Sequence, residues 1–337
     1  MVALSVLDLS PIPEGADAAE AFRNTVDLAR HVERLGFRRY WLAEHHNMAG
    51  IGSAATAVLI GHVAGATETI RVGAGGIMLP NHAPLVIAEQ FGTLESLYPG
   101  RIDLGIGRAP GTDQLTAHAL RRTLTGDVND FPRDVVELQS YFQPTPPGQR
   151  VRAVPGAGLE VPIWILGSSL FGAQLAAVLG LPYAFASHFA PAALMQAIEV
   201  YREQFRPSAQ CDSSYLMAGF NVFAADSEEE AAYVRSSAQQ SVLNLHRGVP
   251  GPLPRPVKGF EDGLDEQERT ILARWFTCAA SGTPEPVAER LAAFAAETGV
   301  DEIMVTSNIH DHAARLRSYE ITAEAGAGLA RRSPAGT

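Results

Sequence analysis

Cysteine is almost absent: Cys211 and Cys278 are the only two in 337 residues. Two thiols build neither a disulfide framework nor a cysteine metal site, so both are expected reduced and partly buried, as in a cytoplasmic protein. Long apolar runs are missing as well. None approaches the ~20 residues of a membrane helix, and Met1 to Asp8 lack both the basic region and the apolar core of a signal peptide. No membrane partner is expected. Charge is unbalanced but spread: 26 Lys and Arg against 37 Asp and Glu give −11 with no block of either sign, which argues against a nucleic-acid surface. What is present is core material. With 46% hydrophobic and 19% charged residues the chain can fill one large core. A single domain over residues 1–337 is expected, with a flexible tail at 323–337.

Short β-rich runs alternate with amphipathic helical patterns along the chain. "ALSVLDL" (3–9) reads as a strand, and the following helix carries Phe22, Val26, Ala29 and Val32 at helical spacing before Gly36 stops it. "RYWLAE" (39–44), "IRVGAGGIML" (70–79) and "RIDLGIG" (101–107) are the next strands, about one βα unit apart. A Pro/Gly-rich insertion precedes "VPIWIL" (161–166); "PYAFAS", "YLMAGFNVFAA" (215–225) and "DEIMVTS" (301–307) complete the set. Before the last strand, Thr283 is placed to cap, Pro284 to open a helix with Val287, Leu291 and Phe294 inward, and Gly299 to end it. Eight strands alternating with helices predict a (β/α)8 TIM barrel with insertions in its strand–helix loops. An open doubly wound sheet is the rival. Residues 246–266 form the longest stretch without a pattern, and loops of that length serve more often as lids than as spacers.

In such a barrel, chemistry collects where strands end, so four strand ends carry weight. The second gives Glu44, His45 and His46. Imidazoles that merely cap backbone groups are the bland alternative, and a zinc site is a second one, with His310 and His312 in "IHDH" the better-looking ligands. The third gives Gly73, Gly75 and Gly76, whose missing side chains let a flat ligand approach or simply mark a barrel corner. In "DLGIGRAPG" the spacing of Gly105, Gly107 and Gly111 departs from the dinucleotide fingerprint and Pro110 interrupts the helix start, so no nicotinamide site is read. Arg108 beside these glycines suits an anion. After the fifth strand, Gly167, Ser168 and Ser169 sit where a helix N-terminus either caps itself or grips a phosphate. Phosphate grip, glycine surface and acid/base histidine at one mouth describe a flavin mononucleotide site.

The chain resembles the bacterial luciferase-like flavin monooxygenases over nearly its whole length, in "LSVLDLSPIPEG", "WLAEHHN", "GAGGIMLPNHAPLVIAEQFGTLESLYPGRIDLGIGRAPGT", "LGSS" and "VDEIMVTSNIHD". The resemblance implies a TIM barrel, commonly dimeric, that receives reduced FMN (FMNH2) from a separate flavin reductase and uses O2 through a flavin peroxide to oxygenate a small organic substrate such as an aldehyde, ketone or aromatic polyketide. It implies that Glu44 lies beside the isoalloxazine and that His45 moves the proton. A non-proline cis peptide at Gly75–Gly76 under the ring is implied too. Gly107 stands where luciferase has a reactive cysteine, Arg108 matches a phosphate arginine, Arg121 or Arg122 supplies a second, and Ser168 and Ser169 fall in the phosphate-serine region. His188 is a candidate for the substrate pocket. A flavin or deazaflavin reductase on the same barrel is the alternative activity; a metal-dependent hydrolase and a non-catalytic flavin-binding protein stand behind it.

Overall fold

The computed structural model describes residues 2–109, 114–120 and 128–329. The expected alternation runs through it. The first half holds β1 (Ala3–Asp8), α1 (Ala18–Arg34), β2 (Arg39–Leu42), α2 (Thr56–Ala64), β3 (Arg71–Met78), α3 (Pro84–Leu97), β4 (Ile102–Gly107), α4 (Gln114–Leu120) and α5 (Phe131–Phe142). The second holds β5 (Ile163–Gly167), α6 (Leu170–Leu179), β6 (Tyr183–Phe185), α7 (Leu194–Gln204), β7 (Leu216–Ala224), α8 (Glu228–His246), α9 (Glu266–Trp275), β8 (Ala279–Gly282), α10 (Pro284–Thr298), β9 (Glu302–Thr306) and α11 (His312–Gly326). Strands β1 to β7 pair in sequence order, all parallel, and β9 closes the ring by pairing β7 on one side and β1 on the other. Closure leaves no barrel edge, so the open-sheet rival is excluded.

Two elements differ from the sequence expectation. Strand β8 adds a ninth strand along Asn221–Ala224 of β7, at that strand's carboxyl half. Its four residues, Ala-Ala-Ser-Gly, carry no β-branched or aromatic signal, so no strand is read there. Helix α9 begins at Glu266, the last residue of the segment expected to be irregular, and runs beyond it where no helix is read in the sequence. Asp265 caps it, and the Glu268 side chain reaches back to the Asp265 N–H in a capping box. At α10, Pro284 and the left-handed Gly299 stand as expected, but the Thr283 hydroxyl makes no cap bond and contacts Glu228 instead. The segment expected as a tail begins inside α11, and residues 330–337 lie outside the described ones.

Inward side chains stack in layers two residues apart along each strand. The lowest is ionic. Arg39 Nη1 donates to Asp103 at 2.6 Å and its Nε to Glu302 at 3.1 Å; Arg71 holds the other Asp103 oxygen, and Ser5 and Tyr215 bond Glu302. Above it lie Leu7, Trp41, Trp164, Met217 and Met304, with the two indoles edge to face at 5.1 Å. Rings this large need room from the facing strands. A Cβ on Gly75 would stand 2.7 Å from Leu7 Cδ1 and 3.2 Å from Trp41 Cβ, and one on Gly73 would stand 2.9 Å from Trp41 Nε1. Gly73 and Gly75 of β3 are therefore, first, what makes room for Trp41.

Outside the barrel, α1 buries Ala21, Thr25, Leu28, Ala29 and Val32. Ala29 and Val32 point inward as read in the sequence, but Phe22 and Val26 are only half-buried, because Thr25 has polar partners inside. Its hydroxyl donates to Asp8 Oδ2 at 2.8 Å, and the same carboxyl pair binds Tyr40 and Arg315. A buried polar cluster satisfied on every side outweighs two half-exposed apolar side chains.

Candidate active site

Strand β2 ends at Leu42, two residues short of the expected Glu44, and the chain then turns across the barrel mouth. Thr56 donates to the Ala43 carbonyl and fixes that turn. Glu44 is 1% exposed. A carboxylate buried so far requires partners, and it has two: His46 Nε2 and His82 Nε2 each donate to Oε1 at 2.9 Å. His82 arrives from the short turn after β3, thirty-eight positions away. Only the closeness of the β2 and β3 ends brings it there, and sequence reading missed it.

His45 differs from both neighbours. Its Nδ1 is buried without a hydrogen-bond partner. Burial is the largest influence on the ring and pushes its pKa below the usual value, against the pull of Glu44 and with a smaller push from His46. The ring is thus a neutral base at neutral pH. His188, from the loop after β6, is close enough to feel His45; burial first and that neighbour second bring its pKa down to about 4. Ser187 Oγ donates to the Gly219 carbonyl at 2.6 Å, and Asn221 Nδ2 to the His188 carbonyl at 2.6 Å, so this loop is pinned onto β7. The structure therefore brings Glu44, His45 and His188 to one mouth.

The glycine and phosphate candidates line the ends of β3, β4 and β5. The Gly75–Gly76 peptide is cis, as expected, and lies where the β3–β4 register shifts between Ala74 and Ile77. A Cβ on Gly76 would stand 2.7 Å from the Gly105 carbonyl oxygen, whereas one on Gly107 would meet only Met78 Sδ, at 3.3 Å. Arg108 lays its guanidinium over the Phe171 ring at 4.2 Å, beside the start of α6. There Ser169 is the extended N-cap of a ten-residue helix, and its side chain makes no cap bond. Ser168 and Ser169 are exposed and Gly167 is half-buried. Free N–H groups at a helix start and a stacked guanidinium fit a phosphate. The β2 and β5 ends are three strand spacings apart, roughly 14 Å, a span suited to a tricyclic ring carrying a phosphorylated polyol. Arg121 and Arg122 lie outside the described residues.

The metal candidates separate. His310 Nε2 lies 3.2 Å from the Glu14 carbonyl, and His312 pairs Asp27 at 2.9 Å, both on the outer rim. Donor atoms of Glu44, His46 and His82 do lie within 4.8 Å of one another, but both imidazoles already share one carboxylate oxygen.

The expected lid, 246–266, is partly ordered by contacts. Pro13 and Leu253 form a parallel bridge, with Glu14 N donating to Leu253 O and Leu253 N to Ile12 O. A tight turn at Phe260–Gly263 follows, before α9. The insertion thus leans on the loop after β1 at the carboxyl face of the barrel.

A family model described as luciferase-like monooxygenase matches residues 2–302. A luciferase-like monooxygenase of Escherichia coli K12 is 53% identical over 320 residues, covering 95% of this chain and 96% of its own. An N-acetyl-S-alkylcysteine monooxygenase of Bacillus subtilis is 32% identical over 333 residues, covering 96% and 98%. The crystal structure of apo-MsnO8 superposes with a TM-score of 0.86 at 34% identity, covering 98% of this chain and all of the other. The same fold, at 19% and 16% identity, occurs in the oxygenating constituent of 3,6-diketocamphane monooxygenase bound to FMN (TM-score 0.72) and in an F420-dependent secondary alcohol dehydrogenase (0.67), each covering 96% of this chain and, respectively, 97% and 98% of the other. No helix among the described residues is long and apolar enough to cross a membrane.

Proposed function

The chain belongs to the luciferase-like monooxygenase family, and from that premise we propose that it oxygenates a small organic substrate with O2 and reduced FMN, the flavin being delivered by a separate reductase. Bound reduced FMN supplies the electrons that activate oxygen. Everything else is the work of this chain. Arg108 and the N-terminus of α6 hold the phosphate by charge and by unused N–H groups. Gly75, Gly76 and Gly107 leave the ring surface free of side chains. Glu44 fixes His46 and His82 by accepting from both at one carboxylate oxygen. His45 takes up or returns a proton at a ring nitrogen, and the 246–266 insertion keeps water away from the mouth.

The observation that carries this reading is the contrast within one tripeptide: Glu44 bonded twice, His46 bonded to it, and His45 between them buried at Nδ1 without a partner. A purely structural histidine pair would satisfy both rings. A homodimer belongs to the same reading, supported by Val58 on α2 and Leu97 on α3, 73% and 62% exposed on helices that pack side by side. So does a cytoplasmic location, supported by two unpaired thiols.

The test is anaerobic titration with reduced FMN, then mixing with O2 and a candidate ketone or aldehyde. Saturable binding followed by O2 uptake coupled to an oxygenated product is expected. Binding of reduced F420 with hydride transfer and no O2 uptake would put the reductase alternative first, and failure of both flavins to bind would overturn the reading. Metal analysis of the purified protein decides the hydrolase alternative, in which Glu44, His46 and His82 would hold the ion.

A further inference from the structure

Among the described residues, one cluster alone brings three metal-ligating side chains together: Glu44, His46 and His82, whose donor atoms lie within 4.8 Å of one another. Each imidazole Nε2 stands 2.9 Å from Glu44 Oε1. That hydrogen-bonded arrangement is close in size to a metal-bound one, since donors held about 2.0–2.2 Å from a tetrahedral ion stand about 3.3–3.5 Å from one another. Each ring has to retreat by only about half an ångström and turn its nitrogen from the oxygen toward an ion beside it. It then keeps its proton on Nδ1 and gives Nε2 to the ion.

The three ligands are carried on fixed backbone. Thr56 Oγ1 donates to the Ala43 carbonyl just before Glu44, and His82 N donates to Leu79 O at 2.9 Å, which closes the turn after β3. An ion therefore meets a set already assembled from two strand ends, and little ordering is left for binding to achieve. Access is from the side of the rings, because Glu44 is buried whereas the His46 and His82 side chains keep 15% and 27% of their surface exposed. The donor set also selects the ion. Two imidazoles and one carboxylate suit Zn2+, which takes three protein ligands and a water at an open site, while Mg2+ and Ca2+ ask for oxygen donors that this cluster does not supply.

We propose that Glu44, His46 and His82 form a Zn2+ site at the barrel mouth, and that the ion is a reversible inhibitor of the flavin reaction and not its cofactor. Zn2+ and the two hydrogen bonds to Glu44 exclude each other. An occupied site ties the carboxylate and both rings to the ion and leaves its fourth ligand, a water, standing in the mouth. The inhibitory role rests on the monooxygenase reading, whereas binding of the ion is measurable without any flavin.

The experiment is calorimetric titration of the chelator-treated full chain with ZnCl2 and, separately, with MgCl2. One Zn2+ per chain with a Kd of about 1 μM or below is expected, and no Mg2+ binding. His46→Ala and His82→Ala are each expected to weaken Zn2+ about a hundredfold or more. His46→Gln and His82→Gln keep an N–H for Glu44 and give the same loss should an alanine variant fold poorly. His310→Ala combined with His312→Ala removes the rim histidines and is expected to bind Zn2+ as the parent does. Absence of Zn2+ binding, equal binding of Mg2+, unaltered affinity in the His46 and His82 variants, or loss of binding in the rim variant would each overturn the site. In the oxygenation assay with reduced FMN and a ketone such as 2-decanone, saturating Zn2+ is expected to lower product formation about tenfold or more and EDTA to restore it. Unchanged or faster turnover of the Zn2+-loaded protein would overturn the inhibitory role. FMN affinity and product formation without Zn2+, measured on the same samples, report separately on the monooxygenase reading, and the calorimetry decides the site whichever way that reading falls.

Discussion

At Glu44 one carboxylate oxygen accepts from both His46 and His82, so the carboxylate is held in place while His45, between Glu44 and His46 in sequence, is left to act. The expected consequence is a clean separation of roles. His45→Ala should retain reduced-FMN binding and lose product formation by about 10²–10⁴-fold, read as the ratio of oxygenated product to O2 consumed. Burial lowers the His45 pKa, so the neutral base persists as pH falls past the ordinary histidine value, and activity should decline only on the acid side of 6.5. His188 makes a related statement about stability. Its pKa is about 4 when folded against 6.5 when free, so between those values the unfolded chain binds more protons than the native one and stability falls as pH falls. His188→Phe should flatten that acid slope by up to about one proton, measured by denaturant unfolding at pH 4 to 6.5. At this scale the sequence placed Glu44, His45, Arg108 and the serines at or just beyond strand ends, where the structure has them, because strand-end position and residue type are local properties. His82 was not legible, since nothing near it in the chain reports that β3 ends beside Glu44.

Among the elements, β3 and β4 carry a constraint the others lack. Gly73 and Gly75 face Trp41, and Gly105 lies so near the Ala74 carbonyl that any side chain would collide with backbone. Backbone does not yield as a flexible side chain does, so Gly105→Ala should lower stability by about 1–3 kcal/mol or more, visible as an earlier urea midpoint with unchanged slope. At α6 the argument runs through binding. Arg108 is fixed by Phe171 at the helix start. Arg108→Ala should weaken FMN by about ten- to a hundredfold, the worth of one charge-assisted bond, and leave riboflavin, which lacks the phosphate, unaffected in equilibrium titration. Equal losses for both ligands would mean that Arg108 supports the loop and not the phosphate.

For the whole molecule, the exposed apolar side chains on α2 and α3 make the quaternary state a test. Light scattering should give a dimer, and Val58→Glu with Leu97→Glu should give a monomer that still binds FMN. A monomeric parent protein would remove the dimer from the proposal. The alternation of strands and helices was determined by the sequence alone: apolar runs separated by period-3.6 runs at intervals of about thirty residues, with the superfamily strings in "GAGGIMLPNHAPLVIAEQFG", favour a barrel, and only the closure of β9 onto β1 and β7 excluded the open sheet. Tertiary structure alone decided that Thr25 of α1 turns inward, since it answers to Asp8 and not to its helical neighbours. It also decided that α9 and β8 follow the patternless stretch, that the β3 glycines make room for Trp41, and that His82 joins Glu44. Each of these depends on contacts between residues far apart in the chain, and local periodicity carries no record of them.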